Sequence, residues 1–211
     1  MTRVLILGAG GQIARPVVAA LADEPRTHMT LFARNPRKLP EPPQGVPVIQ
    51  GDVLDRTRLD AAMVGQEVVY ANLTGNDIDD QAKNVIASMT AAGVRRLIFV
   101  LSLGIYDEVP GAFGAWNRRT IGEELKPFRR AGDLIEASGL DYTILRPAWL
   151  TDEDEIDYET TAKGEAFKGT IVSRKSVADL ILKILRSPTM HIHANLGINK
   201  PGTDADKPGF M

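Results

Sequence analysis

A glycine-rich turn near the N-terminus carries the clearest chemical signal in the sequence. The apolar run 4–7 leads into this turn, and a helical pattern follows it directly. Gly8 permits a tight turn, while Gly10 and Gly11 leave room for a diphosphate to approach the backbone. Amide groups at the positive end of the helix would hold the phosphates. The turn therefore predicts a dinucleotide site, and the alternative is a strand-to-helix turn without a ligand. The predicted diphosphate contacts are Gly8, Ala9, Gly10, Gly11, Gln12 and Ile13.

The end of the second apolar run distinguishes between the two nicotinamide cofactors. An acidic residue there would bind the ribose hydroxyls of NAD, but the sequence has Arg34, followed by Arg37 and Lys38. A guanidinium group donates a planar fork of hydrogen bonds that suits a 2′-phosphate. We therefore expect NADP (as NADPH) to be preferred and NAD to remain possible. The alternative interpretation is a solvated basic loop.

Two further strand ends carry polar groups that suit the adenosine half of the cofactor. Asp52 follows the third predicted strand, where it would accept a hydrogen bond from an adenine amino group. Asn72 follows the fourth, where the chain would pass under the adenosine and its ribose. Either segment could instead be only a strand-to-loop transition. The predicted contacts here are Asp52, Val53, Asn72, Leu73 and Thr74.

Short apolar runs alternate with helical patterns along the whole chain. Predicted strands cover residues 3–7, 27–34, 46–53, 67–73, 95–103, 141–146 and 192–198. Predicted helices cover 12–23, 54–64, 78–92, 123–138 (interrupted at Pro127) and 174–185. This alternation predicts an α/β fold, a single Rossmann-type doubly wound parallel sheet with a small C-terminal substrate-side extension. Ligands bind such sheets beyond the carboxyl ends of the strands.

The whole chain, residues 1–211, is expected to form one domain. We assign substrate-side elements to about 104–127 and 148–172, and we expect a partly mobile tail at 200–211. Trp116 with Arg118 and Arg119 would form either a substrate lid or an ordinary exposed loop.

Composition excludes several classes of protein. Lys and Arg number 25 and Asp and Glu 27, so charge gives no reason to expect nucleic acid or a membrane surface as a partner. The absence of cysteine rules out disulfides and thiol catalysis. His191 and His193 lack a third ligand, and the acidic run 152–159 lacks the spacing of a calcium loop, so no metal site is predicted. We expect a cytoplasmic monomer or homodimer that acts on a small molecule or a flavin.

Several segments between residue 4 and about residue 178 have a sequence that can be compared with a known family. They are residues 8–14, Gly51-Asp52, Ser102, 138–150 and 171–178. Together they resemble the atypical short-chain dehydrogenase/reductases, in particular the NAD(P)H-binding, NmrA-like group described as NADH-flavin reductase-like. The Leu-Asp-Tyr-Thr-Ile-Leu-Arg-Pro segment at 140–147 is the most specific part. The resemblance implies that Ser102 is the counterpart of the catalytic serine and contacts the cofactor. It also implies that the nicotinamide is bordered by Pro147, Ala148, Trp149 and Leu150.

The sequence departs from that family at the catalytic pair. Typical short-chain dehydrogenase/reductases use a tyrosine and a lysine four residues later, and the lysine lowers the pKa of the phenol so that it can exchange a proton with a carbonyl substrate. None of the four tyrosines has a lysine at that spacing. A substitute set of Ser102, Tyr106 and Lys126 is the catalytic hypothesis. Its alternative is that Tyr106 packs over the loop while Lys126 is solvated.

The missing pair also affects the choice of reaction. Hydride transfer to a flavin or quinone needs less acid–base help from the protein than carbonyl reduction, because such an acceptor can take protons from water and the cofactor carries the hydride. We therefore expect an NAD(P)H-dependent oxidoreductase, NADPH-preferring, that reduces a flavin-, quinone- or small carbonyl-type acceptor. The alternatives are a non-catalytic NADP-binding redox sensor or regulator and a nucleotide-sugar epimerase or dehydratase.

Overall fold

The computed structural model describes residues 1–211, apart from the side chain of Lys38. Its strands are β1 (Thr2–Leu7), β2 (Thr27–Ala33), β3 (Val48–Gln50), β4 (Val68–Ala71), β5 (Arg96–Val100), β6 (Asp141–Pro147), β7 (Trp149–Thr151), β8 (Glu159–Ala162), β9 (Ile171–Ser173) and β10 (Ala194–Asn199). Its α-helices are α1 (Ala14–Ala22), α2 (Arg56–Met63), α3 (Ile78–Ala92), α4 (Gly111–Glu136) and α5 (Arg174–Arg186).

Eight strands form one sheet in the order β3-β2-β1-β4-β5-β6-β10-β8. The strands are parallel except for β8, which runs antiparallel to β10, and β7 pairs with β9 in a separate ribbon. The chain moves outward from β1 to β3 and then crosses to β4 on the other side of β1. This reversal of strand order beside β1 confirms the predicted Rossmann-type fold, and it creates the crevice in which such sheets bind ligands.

The apolar run in β1 lacks alternation because both faces of the strand are buried. Val4 and Ile6 belong to a core cluster that includes residues of α1 and α5. Leu5 and Leu7 belong to a second cluster that includes residues of α2, α3 and α4. The sheet is thus covered by helices on both faces, and its strand ends remain free to build a site. Among the helices of the described chain, none combines the length and apolar character that crossing a bilayer requires.

Helix α4 differs most from the sequence prediction. It begins at Gly111, twelve residues before the predicted start, and it continues through Pro127 as one 26-residue helix. A proline inside a helix removes a backbone hydrogen bond, but buried residues on both sides, Phe113 and Ile135 among them, pack this helix onto the core. Tertiary packing therefore outweighs local propensity. The alternative that Trp116, Arg118 and Arg119 belong to an ordinary exposed loop is wrong, since all three lie on α4.

The chain between β6 and α5 contains three short strands that the sequence did not indicate. β7, β8 and β9 have only three or four residues each, too few to show a periodic pattern. The beginning of the predicted mobile tail is bonded to this region. The Lys200 amide donates to the Ile171 carbonyl at 2.7 Å, and the Thr170 hydroxyl donates to the Thr203 carbonyl at 2.7 Å.

A buried ion pair fixes the loop that follows β5. Arg146 on β6 is fully buried and pairs with Glu108, which is almost fully buried. The Glu108 carboxylate also accepts the backbone amides of Gly104 at 3.0 Å and Tyr106 at 2.9 Å. Arg146 Nε donates to Asn195 Oδ1 on β10 at 2.7 Å. The pair therefore ties this loop to the central strands.

Replacing Glu108 with alanine should lower the free energy of unfolding by about 3 to 5 kcal/mol, because Arg146 would keep a buried charge without its counter-ion. Urea unfolding followed by circular dichroism measures the change. Glu123→Ala is the control, since Glu123 pairs with Lys126 on the exposed surface of α4 and its loss should leave stability almost unchanged. Equal effects of the two substitutions would contradict this interpretation.

Candidate functional site

A cleft of about 400 Å³ opens at the carboxyl ends of β1, β2 and β4, where the strand order reverses. It brings together many of the side chains and turns that the sequence predicted as cofactor contacts. Those in its lining are Gly8, Gly10, Gly11, Arg34, Asp52, Val53, Asn72, Leu73 and Thr74. The sequence analysis did not predict the remaining lining residues as cofactor contacts; they are Phe32, Ala33, Asn35, Gly51 and Gln81.

The glycine turn is pressed against the end of β4. Gly8 has a φ of +72°, and a Cβ there would lie 2.2 Å from the Asn72 carbonyl oxygen. A Cβ on Gly11 would lie 2.0 Å from Asn72 Nδ2. The sequence analysis predicted that a diphosphate would approach the backbone at Gly11. In the structure, the side-chain amide of Asn72 occupies the space beside Gly11. Gly10 is more open, since among the described side chains only a Leu39 methyl carbon lies within 4 Å of a Cβ at this position, at 3.4 Å.

The start of α1 faces this turn without a side-chain cap. Ile13 occupies the N-cap position and makes no side-chain capping bond, and no acidic residue lies in the first turn. The guanidinium of Arg15 donates to the Gly10 carbonyl at 3.2 Å, which places a cation beside the turn. Unpaired amides, the positive end of the helix dipole and a nearby cation together suit an anionic group. The residues present therefore fit the diphosphate of a dinucleotide.

Asp52 also lines the cleft, and a hydrogen bond orients its side chain. The side chain is half-buried, and its Oδ1 accepts a hydrogen bond from the Leu54 amide at 3.0 Å. The carboxylate is thereby oriented within the lining of the cleft, where it could accept a bond from an amino group of a bound base.

A second cavity of about 400 Å³ adjoins the cleft and shares Arg34, Gly51 and Asp52 with it. Arg58, on α2, also lines this cavity, and the sequence analysis missed it. Its Nη1 donates to the Gln50 carbonyl at 3.2 Å, and its Nε lies 3.3 Å from Asp55 Oδ2. The arginine was not identifiable from sequence because it lies far from Arg34 along the chain, on an ordinary charged helix.

The other two predicted basic residues are less informative. Arg37 is exposed on the short turn after β2, outside the lining of both cavities, and its amide donates to Asn35 Oδ1. The side chain of Lys38 lies outside the described residues.

The predicted nicotinamide-side residues lie farther along the same edge of the sheet. Ser102 is half-buried just after β5, and the neighbouring Leu103 amide donates to the Pro147 carbonyl at 3.2 Å. The two residues after Pro147 also donate backbone hydrogen bonds. The Ala148 amide donates to the Ile198 carbonyl at 2.8 Å, and the Trp149 amide donates to the Thr170 carbonyl at 3.1 Å. Segment 147–150 is therefore held firmly beside the Ser102 loop.

The structure does not bring the proposed catalytic set together. The phenol of Tyr106 accepts a bond from Asn195 Nδ2 at 3.2 Å, and burial raises its pKa to about 12, with the nearby Glu136 carboxylate adding to the shift. Lys126 pairs instead with Glu123 at 2.6 Å on the exposed side of α4. Within the described part of the chain, no hydrogen bond joins Ser102, Tyr106 and Lys126.

Comparison with known families agrees with this geometry. Residues 8–188 match the family model described as NAD(P)H-binding. The chain belongs to the NAD(P)H-binding family.

Three similar proteins place this family member in context. A Rossmann-fold NAD(P)-binding protein from Shigella flexneri is 61% identical with a TM-score of 0.87, and the match covers all of both chains. A short-chain dehydrogenase/reductase from Veillonella parvula, solved in complex with NADP, is 30% identical over 99% of each chain with a TM-score of 0.92. A (4-alkanoyl-5-oxo-2,5-dihydrofuran-3-yl)methyl phosphate reductase from Streptomyces griseus is 31% identical over 68% of this chain, and that match spans only 46% of the relative.

Replacing Gly8 with alanine should lower the free energy of unfolding by about 1 to 3 kcal/mol, because it combines an unfavourable backbone conformation with a contact to the Asn72 backbone. Urea unfolding measures the loss. Gly10→Ala is the matched control, since its Cβ meets only the Leu39 methyl at ordinary contact distance. If the Gly10 variant lost as much stability as the Gly8 variant, the described contact with Asn72 would not be the reason for the glycine.

Proposed function

We propose that the protein is an NADPH-preferring oxidoreductase that reduces a flavin- or quinone-type acceptor. The observation that carries this proposal is the cleft at the switch point of the sheet, whose lining contains both the glycine turn and Arg34. The uncapped start of α1 follows that turn directly in the chain. The amides after Gly11 would bind the diphosphate, and Asp52 would orient the adenine. The family and the Veillonella parvula structure with NADP support the same cofactor class.

The chain's own residues would bind and position the reactants. A bound NADPH supplies a hydride, which carries two electrons. The acceptor gains this hydride and one proton from water, and the cofactor is left as NADP⁺. Ser102 would donate a hydrogen bond to the acceptor or to the nicotinamide, while segment 147–150 walls the nicotinamide. None of these roles requires the protein to supply a proton.

The state of Tyr106 supports this choice of acceptor. A phenol with a pKa of about 12 that accepts a bond from Asn195 is a poor proton donor at neutral pH. Lys163, whose Nζ lies 4.1 Å from the ring centroid, donates its hydrogen bond to Glu136 rather than to the phenol. A small carbonyl needs a proton as the hydride arrives. A flavin or quinone does not need one from the protein, which makes it the better acceptor for this site.

Two guanidinium groups support the preference for NADPH. Arg34 and Arg58 line one cavity next to the adenosine end of the cleft. Asp55 offsets part of the charge of Arg58, but a 2′-phosphate carries more negative charge and more acceptor oxygens than one carboxylate. It would therefore draw both arginines toward it.

Arg34→Gln should raise the dissociation constant of NADPH about tenfold or more and leave that of NADH almost unchanged, because only NADPH carries the phosphate. Arg58→Gln should shift the same ratio in the same direction by a smaller factor. Calorimetric titration of both cofactors measures the effect. Arg56→Gln is the matched control, since Arg56 pairs with Asp60 on the same helix and lies outside this cavity. Tighter binding of NADH than of NADPH by the unaltered protein would contradict the proposal.

Turnover is tested by following the oxidation of NADPH at 340 nm with riboflavin or a benzoquinone as acceptor. We expect saturable oxidation with at least one of them. A second candidate is a non-catalytic NADP-binding sensor, which is favoured by the different hydrogen-bond partners of Tyr106 and Lys126, Asn195 and Glu123 respectively. Tight NADPH binding without turnover over the whole acceptor panel would support the sensor and reject the reductase.

A further inference from the structure

A cavity of about 300 Å³ lies between the start of α1, the loop after β7 and the start of α5. We call it the α1–α5 cavity, and its lining comprises Gln12, Arg15, Pro16, residues 151–154, Arg174 and Lys175. It shares none of these described residues with the cleft that contains the glycine turn. Gln12 directly follows Gly11, which does line that cleft. The start of α1, where the diphosphate is proposed to bind, therefore borders both spaces.

Two buried polar atoms in the lining of the α1–α5 cavity have no hydrogen-bond partner among the residues that the structure describes. They are Nε of Arg174 and Oγ1 of Thr151. Buried polar groups in folded proteins are normally paired, so each such atom calls for a partner. A guanidinium Nε–H can only donate, and a threonine hydroxyl can donate as well. Both atoms therefore suit an acceptor oxygen of a bound anion.

The carboxylates in the same lining are held by exposed ion pairs. Asp152 Oδ1 accepts a hydrogen bond from Arg174 Nη1 at 2.8 Å, but the Asp152 side chain is 81% exposed, whereas that of Arg174 is 21% exposed. Lys175 pairs with Asp154, whose side chain is 89% exposed. Ion pairs in contact with solvent contribute little to stability. Asp152 can therefore turn toward water at small cost, and Arg174 would stay in the cavity with Nη1 free for another anion.

Both ends of the loop that carries Asp152 are fixed. Thr151 pairs with Ser173 in the ribbon of β7 and β9. At the other end, the Glu155 carbonyl accepts the Ser173 hydroxyl at 2.8 Å, and the Glu155 carboxylate pairs with Lys200 at 2.6 Å. Movement of residues 152–154 therefore breaks no strand pairing, and it leaves the walls of the cavity in place.

We propose that Arg174 is a further cofactor-binding residue, which binds the nicotinamide-side phosphate of the dinucleotide in exchange for Asp152. This inference rests on the proposed function, because it requires the adenosine half of the same molecule to lie in the cleft. A dinucleotide carries two linked phosphates. With one of them beside Gly11, the other would lie beyond Gln12, on the side of the α1–α5 cavity.

Two further features agree with this assignment. Thr151 directly follows Leu150, the last residue of the segment proposed to wall the nicotinamide, so the cavity adjoins that end of the site. A guanidinium group also binds a phosphate more strongly than a neutral donor does, because the bond is charge-assisted and the planar fork matches two oxygens. Asp152 is then an internal competitor that occupies Arg174 in the free protein.

Ligands that differ in one phosphate provide the test. Adenosine 2′,5′-bisphosphate has the adenosine half of NADP⁺ but lacks the nicotinamide-side phosphate. Arg174→Gln should raise the dissociation constant of NADP⁺ about tenfold and leave that of the bisphosphate unchanged, because it removes a charge-assisted hydrogen bond to one phosphate only. Arg174→Lys should have a smaller effect, since it keeps the charge and loses the fork. Calorimetric titration measures both ligands.

Asp152→Asn distinguishes the exchange from simple support of the loop. It breaks the same ion pair but leaves Arg174 in place, so NADP⁺ should bind at least as tightly as it does to the unaltered protein. Arg186→Gln is the control, because Arg186 pairs with Glu24 at the other end of α5 and should affect neither ligand. Circular dichroism checks that each variant is folded. A loss of NADP⁺ affinity in the Asp152 variant equal to that in Arg174→Gln would overturn the proposal.

The outcomes also separate this inference from the proposed function. If the unaltered protein does not bind NADP⁺, the proposed function is rejected. If NADP⁺ binds and its dissociation constant is unchanged in a folded Arg174→Gln variant, the role of Arg174 is rejected while the cofactor site stands. Equal weakening of NADP⁺ and of the bisphosphate would contradict the assignment to the nicotinamide-side phosphate.

Discussion

The close contact between the glycine turn after β1 and the end of β4 is the constraint on which the candidate site depends. A side chain at Gly8 or Gly11 would clash with Asn72. The backbone amide of Asn72 donates to the Leu7 carbonyl at 2.9 Å, which holds the two segments together. This contact brings the start of α1 toward the edge of the sheet. It also forms part of the lining of the cleft, so the polypeptide shapes the proposed phosphate site without a ligand.

A second constraint fixes the loop after β5, which lies farther along the same edge of the sheet. Glu108 and Arg146 form a buried pair, and Glu108 binds two amides of the loop after Ser102. The cations of Arg129 and Lys163 both contact the ring of Tyr106, and their charge-bearing atoms are 4.5 Å and 4.1 Å from its centroid. Cation–π contacts of this kind stabilise packing. They suit a structural tyrosine that anchors the loop better than a tyrosine that exchanges protons with a substrate.

The sequence predicted those parts of the fold that depend on local pattern. The buried β1, the glycine turn and α3, which runs from Ile78 to Ala92 as expected, all have signals within a few residues. Helix α4 was misplaced because its continuity through Pro127 depends on packing against distant strands. Arg58 and Arg174 were not predicted as cofactor contacts for a related reason, since each depends on bringing together segments that are far apart in sequence. Spacing between neighbouring residues carries no information on such pairs.

The central claim is that the amides at the start of α1 hold the diphosphate of a nicotinamide cofactor. Hydrogen–deuterium exchange of the segment containing Gly11, Gln12 and Ile13, measured with and without NADPH, tests it most directly. The account predicts that saturating NADPH slows exchange in this segment and leaves the remote α4–β6 turn around Gly139 unaffected. Binding of NADPH with unchanged exchange at Gln12 and Ile13 would contradict it.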